Sequence, residues 1–326
     1  MTPNVIGAGM LFSLATTMSL TTSADIATNR YLQAEAQPYK VYDGLQDTGK
    51  SAVEHVVLVG VDGLGARWIP WEKMPNLAKL REEGLFTVGR NNFPTASAIN
   101  WATALFGTIV ELHGYRRWNS EKPDVPPVEV TDFGIPPCIF HEIRRQEPSA
   151  YTVSLYNWKG LGFLHATNEV DYVRYCRGNT LEACDNAVIE EGLVQLSDKH
   201  PKLTFLYQSM PDECGHKTGW GSPEYTNACA LVDMNIGRLV ACLERTGLRD
   251  STAVVIVADH GGQGTRHGMD NLDCFEIPFL VAFPDVRSSF RLRTPVILAD
   301  TAPTIAALLG YSVPESWRGR FALAPK

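Results

Sequence analysis

Five runs of nearly unbroken apolar, mostly β-branched residues constrain this chain more than any other feature: EHVVLVGV (54–61), YTVSLY (151–156), LTFLYQ (203–208), TAVVIVAD (252–259) and IPFLVAF (277–283). A strand with one wet face alternates polar and apolar residues. These runs do not alternate, so strands buried on both faces are expected. Stretches of helical character lie between them. MPNLAKLREEG (74–84) has Pro in its first turn and a closing Gly, and SPEYTNACALVDMNIGRLVACLERTG (222–247) has a Ser cap, Pro, a long amphipathic pattern and a closing Gly. LEACDNAVIEEGLVQLSDKH (181–200) is similar. Strands alternating with helices imply an α/β fold with a mostly parallel central sheet and helices on both faces. In such sheets ligands bind beyond the carboxyl ends of the strands. Three of the runs lead into polar residues there: the first ends in Asp62, the third leads to Asp212, and the fourth ends in Asp259 and His260.

With 44% hydrophobic residues, the 326-residue chain can build a large core, and one domain is expected over 54–326. A net charge of −7 argues against binding to a nucleic-acid duplex. It does not argue against a small anionic substrate, because a bound cation can dominate its own site. Residues 1–24 resemble a signal peptide: an apolar run from Val5 to Leu20 precedes Thr22, Ser23 and Ala24, although no Lys or Arg lies near Met1. Export to the periplasm or the exterior is the resulting expectation; a loosely packed N-terminus in a cytoplasmic protein is the alternative. Residues 25–53 read as a polar linker. The N-terminal run is too short and too rich in Ser and Thr for a membrane span, and no later stretch qualifies. There are seven cysteines and no CxxC pair, which speaks against a structural zinc cluster. Cys176 and Cys184 bracket a polar loop and can pair if the protein is exported; buried free thiols are the alternative. The Pro-rich stretch 121–137 reads as a surface excursion.

Each polar group at the sheet edge has an ordinary reading when taken alone. Asp62 can be a cap or a turn residue. Asp212 and His216 share a face if DECGH is helical, but Gly215 fits a loop equally well. Asp259 and His260 are adjacent, with His267 seven further on, and both Asp and His are costly to bury unpaired. Together, three aspartates and three histidines at one edge supply two sets of mixed oxygen and nitrogen ligands, which suits zinc. Three carboxylates without a counter-charge would repel one another, and bound dications resolve that. Ser97 opens the next helical segment, SAINWATALFG. It can be an N-cap, or it can face the metals as a nucleophile activated by the cations and the helix dipole. Asn100, one turn later, can bond the backbone or donate to a phosphoryl oxygen.

The motifs VGVDGLG, PTASAINWATALFGT…HGY, DECGH, ADHGG…HG and DTAPTIAALLGYSVPESWRG resemble, in order, those of the alkaline phosphatase superfamily. Within it, they are most similar to the type I phosphodiesterase/nucleotide pyrophosphatase branch, over roughly residues 54–320. The resemblance implies two divalent metal ions, with zinc expected. By motif position one metal takes Asp62, Ser97, Asp259 and His260. The other takes Asp212, His216 and a later histidine, assigned as His267 because none follows it. Ser97 falls at the nucleophile position and Asn100 at that of the family's phosphate-binding Asn. The resemblance implies two in-line displacements through a phosphorylated enzyme, with a metal-bound water attacking in the second. This sequence departs from the branch in flanking Ser97 with Ala96, Ala98 and Ile99 rather than Lys and Phe-Pro, and in the short interval to its last histidine. The sulfatase signature, Cys or Ser followed by x-Pro-x-Arg, is absent around Ser97, which disfavours a sulfatase.

The expected activity is hydrolysis of a phosphodiester or pyrophosphate bond in a small anionic phosphoester, with nucleotides among the candidates. A phosphomonoesterase or phosphonate hydrolase on the same site is the nearest rival. A mutase is a further enzymatic one, and a non-catalytic metal-binding relative is the rival from another class. His113 is expected to fix the loop after the nucleophile helix. Arg116, Arg117, Trp118 and Lys159 read as a solvated rim or as substrate contacts. His55, His141, His165 and His200 have no partner evident in the sequence.

Overall fold

The computed structural model describes residues 51–326; the expected signal peptide and most of the expected linker lie outside the described residues. The central sheet has seven strands. In chain order they are β1 (His55–Val61), β2 (Leu85–Arg90), β3 (Thr152–Tyr156), β4 (Tyr172–Tyr175), β5 (Leu203–Gln208), β6 (Thr252–Val257) and β7 (Glu276–Ala282). Their spatial order is β2-β7-β6-β1-β5-β3-β4. β1 pairs in parallel with β5 on one side and with β6 on the other. β3 continues the parallel arrangement from β5 to β4. The three strands expected to deliver the polar residues are therefore adjacent and point the same way. β3, β5 and β6 are buried throughout and β1 in all but its first residue, as unbroken apolar runs require.

β7 runs antiparallel to both β6 and β2. The expected strand is present but reversed. Between Val257 and Glu276 the chain forms only a single four-residue helical turn, Leu272–Phe275, and so has no crossover helix with which to return to a parallel start. β2 and β4 form the two edges of the sheet.

The main helices are α1 (Pro75–Glu83), α2 (Ser97–Phe106), α3 (Ile139–Gln146), α4 (Leu181–Lys199), α5 (Met210–Thr218), α6 (Pro223–Arg245) and α7 (Thr301–Leu308). α1 has Pro at its start, and α6 is capped by the Ser222 hydroxyl, which accepts from the Tyr225 N–H. α2 is buried all round, its polar Ser97, Asn100 and Thr103 included. A helix apolar on every side belongs inside the core, and α2 accordingly carries the site residue Ser97 on a rigid, enclosed support. Among the described residues no helix is long and apolar enough to cross a membrane. All seven cysteines are free thiols, Cys176 and Cys184 among them.

Candidate metal centre and nucleophile

The carboxyl ends of β6, β1 and β5 meet at one point. Asp62 follows β1, and the Asp259–His260 pair lies two residues beyond β6. Asp212 and His216 lie on α5, which begins two residues after β5. They are one helical turn apart, with His216 Nε2 3.5 Å from Asp212 Oδ2. The helix runs through Gly215, whose lack of a Cβ lets Trp220 pack against it: a Cβ there would lie 2.7 Å from the indole. His267 is carried by the glycine-rich turn after His260, and its ring stacks on that of His260 at 3.9 Å between centroids and 18° between planes.

All three histidines have their Nδ1 at a main-chain carbonyl: His260 at Gly261 O (3.0 Å), His216 at Thr265 O (3.1 Å) and His267 at Thr95 O (2.8 Å). A donating Nδ1–H fixes the tautomer and turns each Nε2 lone pair toward the site, which is how metal-ligating histidines are normally held. The carboxylates show the same division of labour. Asp259 Oδ1 accepts from the N–H groups of Gly63 (3.1 Å) and His260 (2.9 Å), while Oδ2 has no hydrogen-bond partner. Asp62 Oδ2 accepts from Trp101 Nε1 (3.0 Å) and the Tyr207 hydroxyl (2.5 Å), while Oδ1 has none. Asp212 Oδ1 also has none. These three unpartnered oxygens lie 3.2, 3.6 and 4.0 Å from His260 Nε2 for Asp259, Asp62 and Asp212 in turn. Buried carboxylate oxygens left without donors are costly unless something positive meets them.

The electrostatics agree. Burial pushes the Asp62 carboxyl well above the usual range, and the charge of Asp259 adds to it. Asp259 is raised well above its usual value by burial and then by Asp212, and Asp212 by burial and then by Asp62. Burial and the neighbouring His267 push His260 well below its usual value, and burial brings His267 down to about 4. Neutral imidazoles among crowded carboxylates form a donor set that suits a divalent cation. Two overlapping groups of donor atoms result: Asp62, Asp259 and His260, and Asp212, His260 and His267. His216 adjoins the second group through Asp212 and stands 4.9 Å from the ring of His267.

Ser97 is the first residue of α2. The N-cap position belongs to Ala96, and no side chain caps the helix. The serine hydroxyl is thus free of capping and lies 3.3 Å from His260 Nε2. Asn100 makes the backbone bonds that the sequence left open beside donation to a phosphoryl oxygen. Its Nδ2 contacts the carbonyls of Asn92 (3.2 Å), Pro94 (3.2 Å) and Ala96 (3.3 Å), and its Oδ1 accepts from the Asn92 N–H (2.9 Å). Completely buried, it holds the loop that precedes Ser97. That loop includes Thr95, whose carbonyl orients His267, so Asn100 supports the site from behind.

His113 sits between Thr103 Oγ1 (3.1 Å from Nε2) and the Tyr115 N–H (3.1 Å from Nδ1), joining α2 to the loop after it. Arg117 pairs with Asp124 through Nε at 2.6 Å, and Lys159 stands 5.9 Å over the Phe163 ring. His55 meets the Pro201 carbonyl and His141 meets Glu169 (2.5 Å), so both have partners that the sequence did not disclose. Nothing in the sequence sets Trp101 and Tyr207 apart from other core aromatics, and the carbonyls of Thr95 and Thr265 carry no residue-type signal.

The fold is of the alkaline phosphatase-like α/β class, with acidic and histidine side chains gathered at the carboxyl edge of its central sheet. Residues 56–279 match the model of the type I phosphodiesterase / nucleotide pyrophosphatase family, and the chain belongs to that family of phosphoric ester hydrolases. It is 25% identical over 252 residues to venom phosphodiesterase of Macrovipera lebetinus, covering 74% of this chain and 28% of the venom protein. The chain thus spans little more than a quarter of that relative's length. It is also 34% identical over 133 residues to arylsulfatase K of Danio rerio, covering 38% of this chain and 25% of that protein. Murine ectonucleotide pyrophosphatase / phosphodiesterase 5, solved as an inactive variant with AMP, superposes with a TM-score of 0.63 at 17% identity, over 83% of this chain and 100% of that one.

Proposed function

We propose that the protein hydrolyses phosphodiester or pyrophosphate bonds, with Ser97 as the nucleophile in a site holding two divalent cations, most simply zinc. One observation carries the reading. A serine hydroxyl free of its capping role sits 3.3 Å from His260 Nε2, the same atom on which the three unpartnered carboxylate oxygens converge. Asp62, Asp259 and His260, with Ser97, would hold one cation; Asp212, His216 and His267 would hold the other. Bound there, such cations would supply positive charge to favour the serine alkoxide and to offset charge on the phosphoryl oxygens.

The protein's own part is orientation. Main-chain carbonyls hold the three imidazoles, and Asn100 fixes the loop leading into Ser97. In the first step the Oγ–P bond forms, the bond from phosphorus to the leaving-group oxygen breaks, the serine proton is lost to solvent and the departing oxygen is protonated. Water then cleaves the Oγ–P bond and restores Ser97. The AMP bound by the murine relative supports a nucleotide among the substrates. The venom relative supports export, for which residues 1–24 are the candidate signal. Rates on matched aryl phosphodiesters and monoesters with added Zn2+ test the proposal: wild type turns over the diester faster and Ser97→Ala does not. Equal rates for the two proteins would exclude Ser97 as the nucleophile.

A further inference from the structure

Asp62 differs from Asp259 in how its second oxygen is held. Main-chain N–H groups hold Asp259, whereas two buried aromatic side chains from different elements hold Asp62. Trp101 stands on α2, four residues after Ser97 and so on the same side of the helix. Tyr207 stands on β5, in register with Gly60 of β1. Gly60 makes the arrangement sterically feasible: a Cβ there would come within 2.6 Å of the Trp101 ring and 2.8 Å of Phe205. The indole lies in that gap, meets Tyr207 edge-on at 5.5 Å, and brings its Nε1 to the aspartate two residues beyond Gly60. Trp101 is fully buried and Tyr207 nearly so.

We propose that Trp101 and Tyr207 are positioning residues that restrict Asp62 to binding a cation through Oδ1 alone and lock the Ser97 helix to that ligand. A carboxylate oxygen has two lone pairs, and the two donors engage both on Oδ2. Chelation through both oxygens is thereby closed, and only the unpartnered Oδ1 faces His260. Because Trp101 and Ser97 share one helical face, the indole hydrogen bond also sets the height of the nucleophile above Asp62. The inference rests on the metal-site reading above.

Cobalt(II) is a suitable probe, because its visible absorption weakens when its coordination number rises. Co2+ affinity, measured by chelator competition, and the visible spectrum are compared for wild type, Tyr207→Phe and Trp101→Phe, alongside urea unfolding of the metal-free proteins. Tyr207→Phe removes one hydroxyl and keeps the ring. The expected result is a loss of Co2+ affinity of about 10- to 100-fold, with a weaker visible band as Oδ2 joins the metal, and a fall in metal-free stability for Tyr207→Phe smaller than the loss of affinity. Wild-type affinity and spectrum in both variants would overturn the inference while leaving the metal site intact. Weakened binding that only tracks an equal loss of metal-free stability would overturn it too, by assigning the pair a packing role. A wild-type protein that takes up no Co2+ would overturn the metal-site reading and this inference with it.

Discussion

Asp185 and Asp259 are both buried aspartates in the same sheet-and-helix framework, yet their oxygens are treated in opposite ways. Asp185 lies in α4 and is saturated: Asn157 Nδ2 (2.5 Å), the Ser209 N–H (2.9 Å) and the Ser209 hydroxyl (3.2 Å) donate to Oδ1, and the Met210 N–H (3.1 Å) donates to Oδ2. It ties α4 to the start of α5. Asp259 receives two main-chain donors on one oxygen and none on the other. His113 and the site histidines show the same contrast. His113 has both ring nitrogens occupied by Thr103 and Tyr115, whereas His260 and His267 keep Nε2 turned toward carboxylates. Burial lowers the pKa of His113, to about 3, as it lowers that of His267, to about 4. A depressed histidine therefore does not mark the site. What marks it is the convergence of three unpartnered carboxylate oxygens on His260 Nε2, within 3.2–4.0 Å.

The largest expected effect is at the nucleophile. Ser97→Ala should lower kcat on an aryl phosphodiester by more than about 10³-fold while keeping its metal, as read by turnover and metal analysis on the same sample. Next is the matched pair of aspartates. Asp259→Asn should abolish the rise in Tm that Zn2+ produces, and should leave the metal-free protein as stable as wild type or more so, because it removes a like charge from Asp62 and Asp212. Asp185→Asn should instead cost about 1–3 kcal/mol without metal, because an amide nitrogen cannot accept from the donors that meet there, and should keep the Zn2+ response. Denaturant unfolding with and without zinc reads both; the same outcome for the two variants would erase the distinction.

A smaller effect is expected at Asn100. Asn100→Ala should reduce kcat by up to about 10²-fold through loosening of the loop before Ser97, with little change in KM. A change mainly in KM would instead indicate contact with substrate. The smallest effect is a pH dependence. Burial outweighs the donors around Asp185 and pushes its carboxyl up to about 6 from 3.8. A raised carboxyl binds its proton more tightly in the folded state, so its contribution to stability is fully present below the unfolded value and is lost as pH rises through about 6. Between these values wild-type stability should decline with pH relative to Asp185→Asn, as followed by urea midpoints.

The sequence made the sheet edge legible because a buried parallel strand leaves a plain trace: an unbroken apolar run that stops at a polar residue. Asp62 and Asp259 stand directly at such stops, and Asp212 follows four residues after Gln208. The reversal of β7 was not visible, since strand direction follows from the connection rather than the strand. β2 and β4 escaped because edge strands are partly exposed and carry mixed residues such as Thr87, Arg90 and Arg174. DECGH left helix and loop open because the reason for its glycine, close packing of Trp220 on Gly215, lies outside the motif. Whether Ser97 caps its helix depended on where Ala96 sits, and the orientation of Asn100 on carbonyls that have no sequence signature. The links that order the histidines join residues 172 apart for Thr95 and His267 and 49 apart for Thr265 and His216. Such contacts exist only once the sheet has formed.

Metal retention tests the account most directly. Zinc-loaded wild type, Asp185→Asn and Asp259→Asn, dialysed against buffer and analysed for zinc per chain, should separate the two aspartates. The account predicts two zinc ions kept by wild type and Asp185→Asn, and loss from Asp259→Asn. Zinc retained in full by Asp259→Asn, or none kept by wild type, would contradict it.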